Sequence, residues 1–169
     1  MSTLIEQYQQ LHAESHKHFR GYTTKLIAAE VDRLVKETGA KTLLDYGCGK
    51  GFQYSERQYH ERWGGILPTL YDPGVPEYSE KPKQQFDGVL CCDVMEHIPE
   101  EEVPTVLADI FRYAKKFVAL QIFIGPSKKL LPDGRNAHLT QQPPVWWKER
   151  IDAVNVNHII CSTGFRDRR

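Results

Sequence analysis

The residues with the clearest capacity for chemistry lie in one run, Thr42-Leu43-Leu44-Asp45-Tyr46-Gly47-Cys48-Gly49-Lys50-Gly51. A short apolar stretch ends in a carboxylate, and glycines follow at every second position. The apolar stretch predicts a buried parallel strand. Glycine allows a tight turn and a close approach of the backbone to a ligand. A helix expected from Phe52 to Arg62 would present its N-terminus at the turn, an arrangement that holds nucleotides. Asp45 narrows the ligand further: a carboxylate repels a pyrophosphate but suits a sulfonium or an ammonium. The alternative is an ordinary tight turn in an α/β domain.

Asp72 closes a second expected strand, Ile66–Tyr71, at 21 positions after Gly51. A carboxylate there can accept two hydrogen bonds from a ribose diol. A plain Asp72-Pro73-Gly74 turn is the competing reading. A third cluster, Asp93-Val94-Met95-Glu96-His97-Ile98-Pro99, follows the apolar strand Phe86–Cys92. Strand carboxyl ends face the crevice of such a sheet, which puts Asp93 and His97 at the cleft. His97 reads either as a direct participant or as a buried imidazole that caps its loop. The long polar segment 125–142 follows another expected strand, Phe117–Ile124, and brings Lys128, Arg135, Asn136 and His138 to the same end. Imidazole titrates near neutral pH, so His97 and His138 are the candidates for a general base if an acceptor must lose a proton. Arg135 and Asn136 suit a polar or anionic acceptor. Trp146 is either a wall of its pocket or ordinary packing.

The first of these runs resembles motif I of the class I S-adenosylmethionine-dependent methyltransferases. The segment Asp93–Pro99 is similar to the acid, apolar pair and Glu-His-Ile or Glu-His-Leu that many small-molecule members carry after their fourth strand. The run Leu131-Pro132-Asp133-Gly134-Arg135-Asn136-Ala137-His138-Leu139, with Trp146-Trp147, resembles a pattern in small phage-type and bacterial members. The resemblance implies an α/β fold: a Rossmann-like, doubly wound, mostly parallel sheet with helices on both faces. It implies S-adenosylmethionine as cofactor, held by Asp45, Tyr46, Gly47, Cys48, Gly49, Gly51, Asp72, Pro73, Asp93 and Val94. His97 and His138 become the catalytic candidates, with Arg135, Asn136 and Trp146 at the acceptor. The expected activity is methyl transfer to a polar small molecule. A non-catalytic cofactor-binding or partner-binding protein of the same fold, and a nucleic-acid methyltransferase, are the alternatives. An NAD-dependent oxidoreductase also belongs among them, although the glycine spacing argues against it.

The remaining elements must position these groups. With 169 residues, the chain is expected to be one domain over 1–169, whose first 40 residues are helices covering the cleft. Leu4, Tyr8, Leu11 and Ser15 predict an amphipathic helix over 3–18, flanked by His12, His16 and His18. That helix is either solvated or a cap on the cleft. A second helix, capped by Thr23 or Thr24, carries the stripe Ile27, Val31, Leu34, Val35 and stops at Gly39. Pro104 starts a helix near 103, with Val103, Leu107, Ile110 and Ala114 facing the sheet, and Pro143-Pro144 starts another with Trp147, Ile151 and Val154 on one stripe. A last strand is expected over His158–Ser162, then a basic solvated tail, 166–169. The stretch 73–85 is too short for the helix and third strand that the resemblance implies. The third strand and the terminal hairpin are therefore expected to be reduced, the adenine contact cannot be carried over, and Pro68 suits an edge strand.

Lys plus Arg and Asp plus Glu both number 22, so the net charge is zero and no broad basic face for nucleic acid is indicated. The absence of an Asn-Pro-Pro-Tyr, Asp-Pro-Pro-Tyr or Pro-Cys signature also disfavours a DNA-base acceptor. No run of 18 apolar residues and no basic-then-apolar leader occurs. A cytoplasmic protein with a small-molecule partner and no membrane contact is expected. The four cysteines form no Cys-x-x-Cys pair, and adjacent Cys91 and Cys92 must face opposite sides of their strand, so no metal centre is expected.

Overall fold

The computed structural model describes residues 3–14 and 19–167. The helices are α1 (Leu4–Glu14), α2 (Ala28–Thr38), α3 (Phe52–Ser55), α4 (Val103–Tyr113) and α5 (Pro144–Val154). The strands are β1 (Leu43–Tyr46), β2 (Thr69–Tyr71), β3 (Phe86–Cys92), β4 (Ala114–Phe123) and β5 (Ile160–Arg166). They form one sheet in the order β2-β1-β3-β4-β5, and every neighbouring pair is parallel. The fold is thus α/β and Rossmann-like. Its sheet is parallel throughout among the described residues, rather than mostly so.

The edge lies where the short stretch 73–85 places it. That stretch holds a single 3-10 turn, Pro76–Tyr78, and no strand, which leaves β2 outermost on its side. Pro68 precedes β2 instead of lying inside it, because its missing N–H ends the pairing there. At the far edge β5 is longer than expected and pairs in parallel with β4 from Phe117↔Ile160 to Phe123↔Arg166. No terminal antiparallel hairpin forms among the described residues.

Two cores hold the layers. On one face Val31 and Leu34 of α2 and the buried Trp63 pack on Leu43, Leu90 and Phe117. Trp63 Nε1–H donates to the Ala28 carbonyl at 2.9 Å, which satisfies the indole where water is excluded. On the other face Leu107 and Ile110 of α4 and Trp147 and Ile151 of α5 pack on Val89, Val118 and Leu120. Each such fully buried aliphatic side chain contributes about 1.5–3 kcal/mol. Cys91 joins the second core and Cys92 the first, as alternation along a strand requires.

Several local expectations give way. The helix expected over 52–62 ends at Ser55, because Gln58 adopts a left-handed backbone and a 3-10 turn, Tyr59–Trp63, follows. Gln53 and Tyr54 turn inward while the polar residues after them offer no apolar stripe to continue a helix. No threonine caps α2: Tyr22–Leu26 forms its own 3-10 turn, and Ile27 precedes the helix without a side-chain bond. Gly39 does terminate α2 in the left-handed conformation. Ala114 opens β4 instead of closing α4. The first helix is described to Glu14, and residues 15–18, with His16 and His18, lie outside the described residues, as do 168 and 169. Among the described residues no helix is long and apolar enough to cross a membrane.

Candidate functional site

The carboxyl ends of β1 to β4 open on one side of the sheet, and the strand order reverses between β1 and β3. Ligands of open α/β sheets bind at such a reversal. The glycine turn sits there. Gly47, Gly49 and Gly51 have φ of 82°, 59° and 72°, so all three use backbone that other residues rarely adopt. Amides of Gly47 and Cys48 both donate to the Tyr71 carbonyl, at 2.7 and 3.2 Å, and tie the turn to β2. The Val94 side chain closes over Gly47: a Cβ there would lie 2.2 Å from Val94 Cγ2.

Asp72 is clamped between two glycine amides. Gly49 N–H donates to Oδ2 and Gly74 N–H to Oδ1, each at 2.8 Å. Burial raises its carboxyl above the usual range while both amide bonds pull it down. Two lone-pair directions remain for a diol. Asp45 is only 2% exposed, and its Oδ2 accepts from Tyr54 Oη at 2.6 Å and Gln53 Nε2 at 2.9 Å. Burial pushes this carboxyl up to about 6, against the Tyr54 and Gln53 hydrogen bonds and with a small contribution from the charge of Asp72. Gln53 also donates to the Cys48 carbonyl at 2.9 Å, so Asp45 is wired to the turn through Gln53.

The other expected cofactor residues divide by orientation. Tyr46 points into the α4 side, where its ring meets Tyr71 at 4.9 Å and its hydroxyl donates to Asp109 at 3.1 Å. The Cys48 thiol is buried, and burial raises it well above the usual thiol range. Both side chains are therefore engaged within the protein. The Pro73 carbonyl accepts from Gln9 of α1 at 3.3 Å. Asp93 takes a forked ion pair from Arg166, with Nε at 3.2 Å from Oδ1 and Nη2 on Oδ2. Arg166 was expected in a solvated tail; β5 instead carries it to the carboxyl end of β3.

The N-terminal segment lies against the same turn. The Phe19 carbonyl accepts from the Lys50 amide at 2.9 Å, and a Cβ on Gly49 would lie 2.3 Å from that oxygen. The Phe19 ring stacks on His12 at 4.4 Å, meets His97 edge-on at 6.2 Å and carries the Lys129 ammonium at 4.2 Å. From α1, Tyr8 donates to the Ala137 carbonyl at 2.9 Å, and Leu11 packs with Leu131 and Ala137.

His97 and His138 come together, with ring centroids 4.9 Å apart and the rings nearly perpendicular. His97 Nδ1–H donates to the Ala137 carbonyl and His138 Nδ1–H to the Gly125 carbonyl, both at 2.7 Å. Those partners assign the lone pair of each imidazole to Nε2. Burial first, and then the neighbouring His138, push His97 down to about 3, so it is neutral at physiological pH. A base with so acidic a conjugate acid takes protons weakly there. Glu96, which the sequence reading passed over, is fully buried beside them, and the Thr140 amide donates to its backbone carbonyl at 3.0 Å. Its adjacency to His97 was the available signal.

The expected acceptor residues behave differently. Arg135 is exposed and forks onto Asp133 at 2.7 and 2.9 Å. Asn136 organises the loop: its Oδ1 accepts from the Ser127 and His138 amides and its Nδ2 donates to the Ser127 carbonyl. Trp146 is half-buried on α5, where it packs on Trp147 and beneath the Arg150 guanidinium at 3.5 Å. Residues 18–141 match the family model described as a methyltransferase domain. No curated protein matches the chain.

Proposed function

The chain belongs to the methyltransferase domain family, and from that premise we propose that it transfers a methyl group from S-adenosylmethionine to a polar small-molecule acceptor. The observation that carries this reading is the pairing of the glycine turn with Asp72, clamped at 2.8 Å by Gly49 at the point of strand reversal. The residues fit that cofactor. The glycine turn holds left-handed backbone at the point of strand reversal, Asp72 keeps lone pairs for ribose hydroxyls, and the Asp45 carboxylate supplies negative charge behind the turn. The cofactor, when bound, supplies a methyl group already activated by a sulfonium. The protein's part is to orient the acceptor in line with that methyl and to exclude water.

Asp72→Ala should weaken S-adenosylhomocysteine binding by about 1.5–3 kcal/mol, the scale of hydrogen bonds to a charged group. Calorimetry beside a melting curve separates lost ribose contacts from a loosened turn. Equal affinity in a folded variant would move the ribose elsewhere.

One observation favours a second reading, a cofactor-binding protein that transfers nothing: Phe19 lies across the glycine turn and bonds Lys50 at 2.9 Å. A screen of phosphorylated, carboxylated and hydroxylated metabolites, read by S-adenosylhomocysteine release, decides between the two. Release above background with one acceptor is expected. Saturable cofactor binding with no release in any mixture would favour the second reading, and no binding at millimolar cofactor would remove both.

A further inference from the structure

We propose that Glu96, His97 and His138 form a binding site for one divalent first-row transition-metal ion. Each residue offers a ligand atom, and these atoms all lie within 4.8 Å of one another. Donors about 2 Å from such an ion stand roughly 3–4 Å apart, so the cluster needs only a small contraction to close on it. The independent observation is Glu96 itself. It has no measurable exposure, and no side-chain donor reaches either of its carboxylate oxygens; only the Glu96 and Phe123 amides stand near them, short of good hydrogen-bond geometry. A carboxylate left this way costs several kcal/mol, and native proteins rarely tolerate one without a use for it.

The two histidines are prepared in the manner of metal ligands. Each gives its Nδ1–H to a backbone carbonyl at 2.7 Å, which fixes the ring orientation and directs the Nε2 lone pair away from that carbonyl. Two imidazoles and one carboxylate match ions such as zinc, iron, cobalt or manganese, whereas calcium and magnesium favour all-oxygen sets. The charge balance agrees. Asp93 is neutralised by Arg166, so ionised Glu96 supplies the local negative charge. The opposing charge is Lys129, whose ammonium burial pushes down.

Three protein ligands leave open positions on the ion. An acceptor hydroxyl or carboxylate reaching from the crevice could occupy one, and the ion would lower the hydroxyl's pKa. That use of the metal rests on the methyl-transfer reading; the site itself does not.

The test is binding of cobalt(II) to chelator-stripped protein without cofactor or acceptor. Visible absorption and calorimetry should report one saturable ion per chain. Glu96→Gln should weaken binding at least about tenfold. It should also keep or raise the melting temperature of the metal-free protein, because it removes a buried carboxyl. His158→Ala, an exposed control, should bind as the wild type does. No saturable binding by 1 mM cobalt, or binding that Glu96→Gln leaves unchanged, overturns the site. If Glu96→Gln does not fold, His97→Asn decides by the same two outcomes. The metal result is independent of S-adenosylhomocysteine calorimetry, so either proposal can fail without the other.

Discussion

Gly47→Ala is expected to destabilise the protein by about 2–5 kcal/mol in urea denaturation, and a second change, Val94→Ala, should return part of the loss. Two costs add at this position. The backbone sits at φ 82°, where a side chain costs about 1–2 kcal/mol. The new Cβ would also lie 2.2 Å from Val94 Cγ2 and 2.9 Å from Cγ1, and overpacking of this kind costs about 1–3 kcal/mol. Removing the Val94 methyls relieves only the second cost. The double-mutant cycle should therefore give a coupling of about 1–2 kcal/mol, with the backbone cost left over. Additivity within about 0.3 kcal/mol would mean that the turn shifts away from Val94 without penalty. The cycle also bears on function. Loss of cofactor binding in Gly47→Ala alone cannot be assigned to blocked space, but binding that stays lost in the restabilised double variant while Val94→Ala alone still binds can.

The turn's chemistry was legible because it is local. An apolar strand, an acid and alternating glycines are neighbours in sequence, and so are Asp72 and its two glycine-rich surroundings. The missing third strand was legible from chain length alone: residues 73–85 hold only the turn Pro76–Tyr78. What escaped depends on distant pairing. Arg166 reads as a tail residue until β5 is seen to run beside β4 as far as Phe123. Glu96 has no role of its own in the sequence until its turn is seen packed beneath Thr140 and the loop that carries His138. The inward turn of Gln53 and Tyr54 escaped for a related reason. An aromatic-rich segment after a glycine turn suggests a helix, yet here both side chains fold back onto Asp45 and the helix stops at Ser55. Asn136 is expected beside an acceptor, and its amide also organises the loop that presents its neighbour His138, a pairing that its sequence neighbours do not reveal.

Asp45→Asn is the other variant with a large expected effect, and its sign depends on pH. Burial raises this carboxyl from 3.8 to about 6 in the folded protein. A raised carboxyl favours folding while protonated, so its contribution is fully present below 3.8 and lost as pH rises through about 6. Above that pH the ionised group costs the native state roughly 3 kcal/mol. Asparagine has the same shape, can turn its carbonyl oxygen to the Tyr54 hydroxyl and the Gln53 amide, and never ionises. The variant should therefore gain about 1–3 kcal/mol at pH 7.5, and the gain should fade as pH falls from 6 toward 4. Urea midpoints at three pH values measure this, and a gain independent of pH would assign the effect to packing. The cofactor should respond in the opposite direction. The charge that destabilises the empty protein is the one that attracts a sulfonium, which S-adenosylmethionine carries and S-adenosylhomocysteine lacks. Asp45→Asn should therefore weaken the former more than the latter. If both ligands lose affinity equally, Asp45 acts only through the shape of the turn, by way of Gln53 and the Cys48 carbonyl.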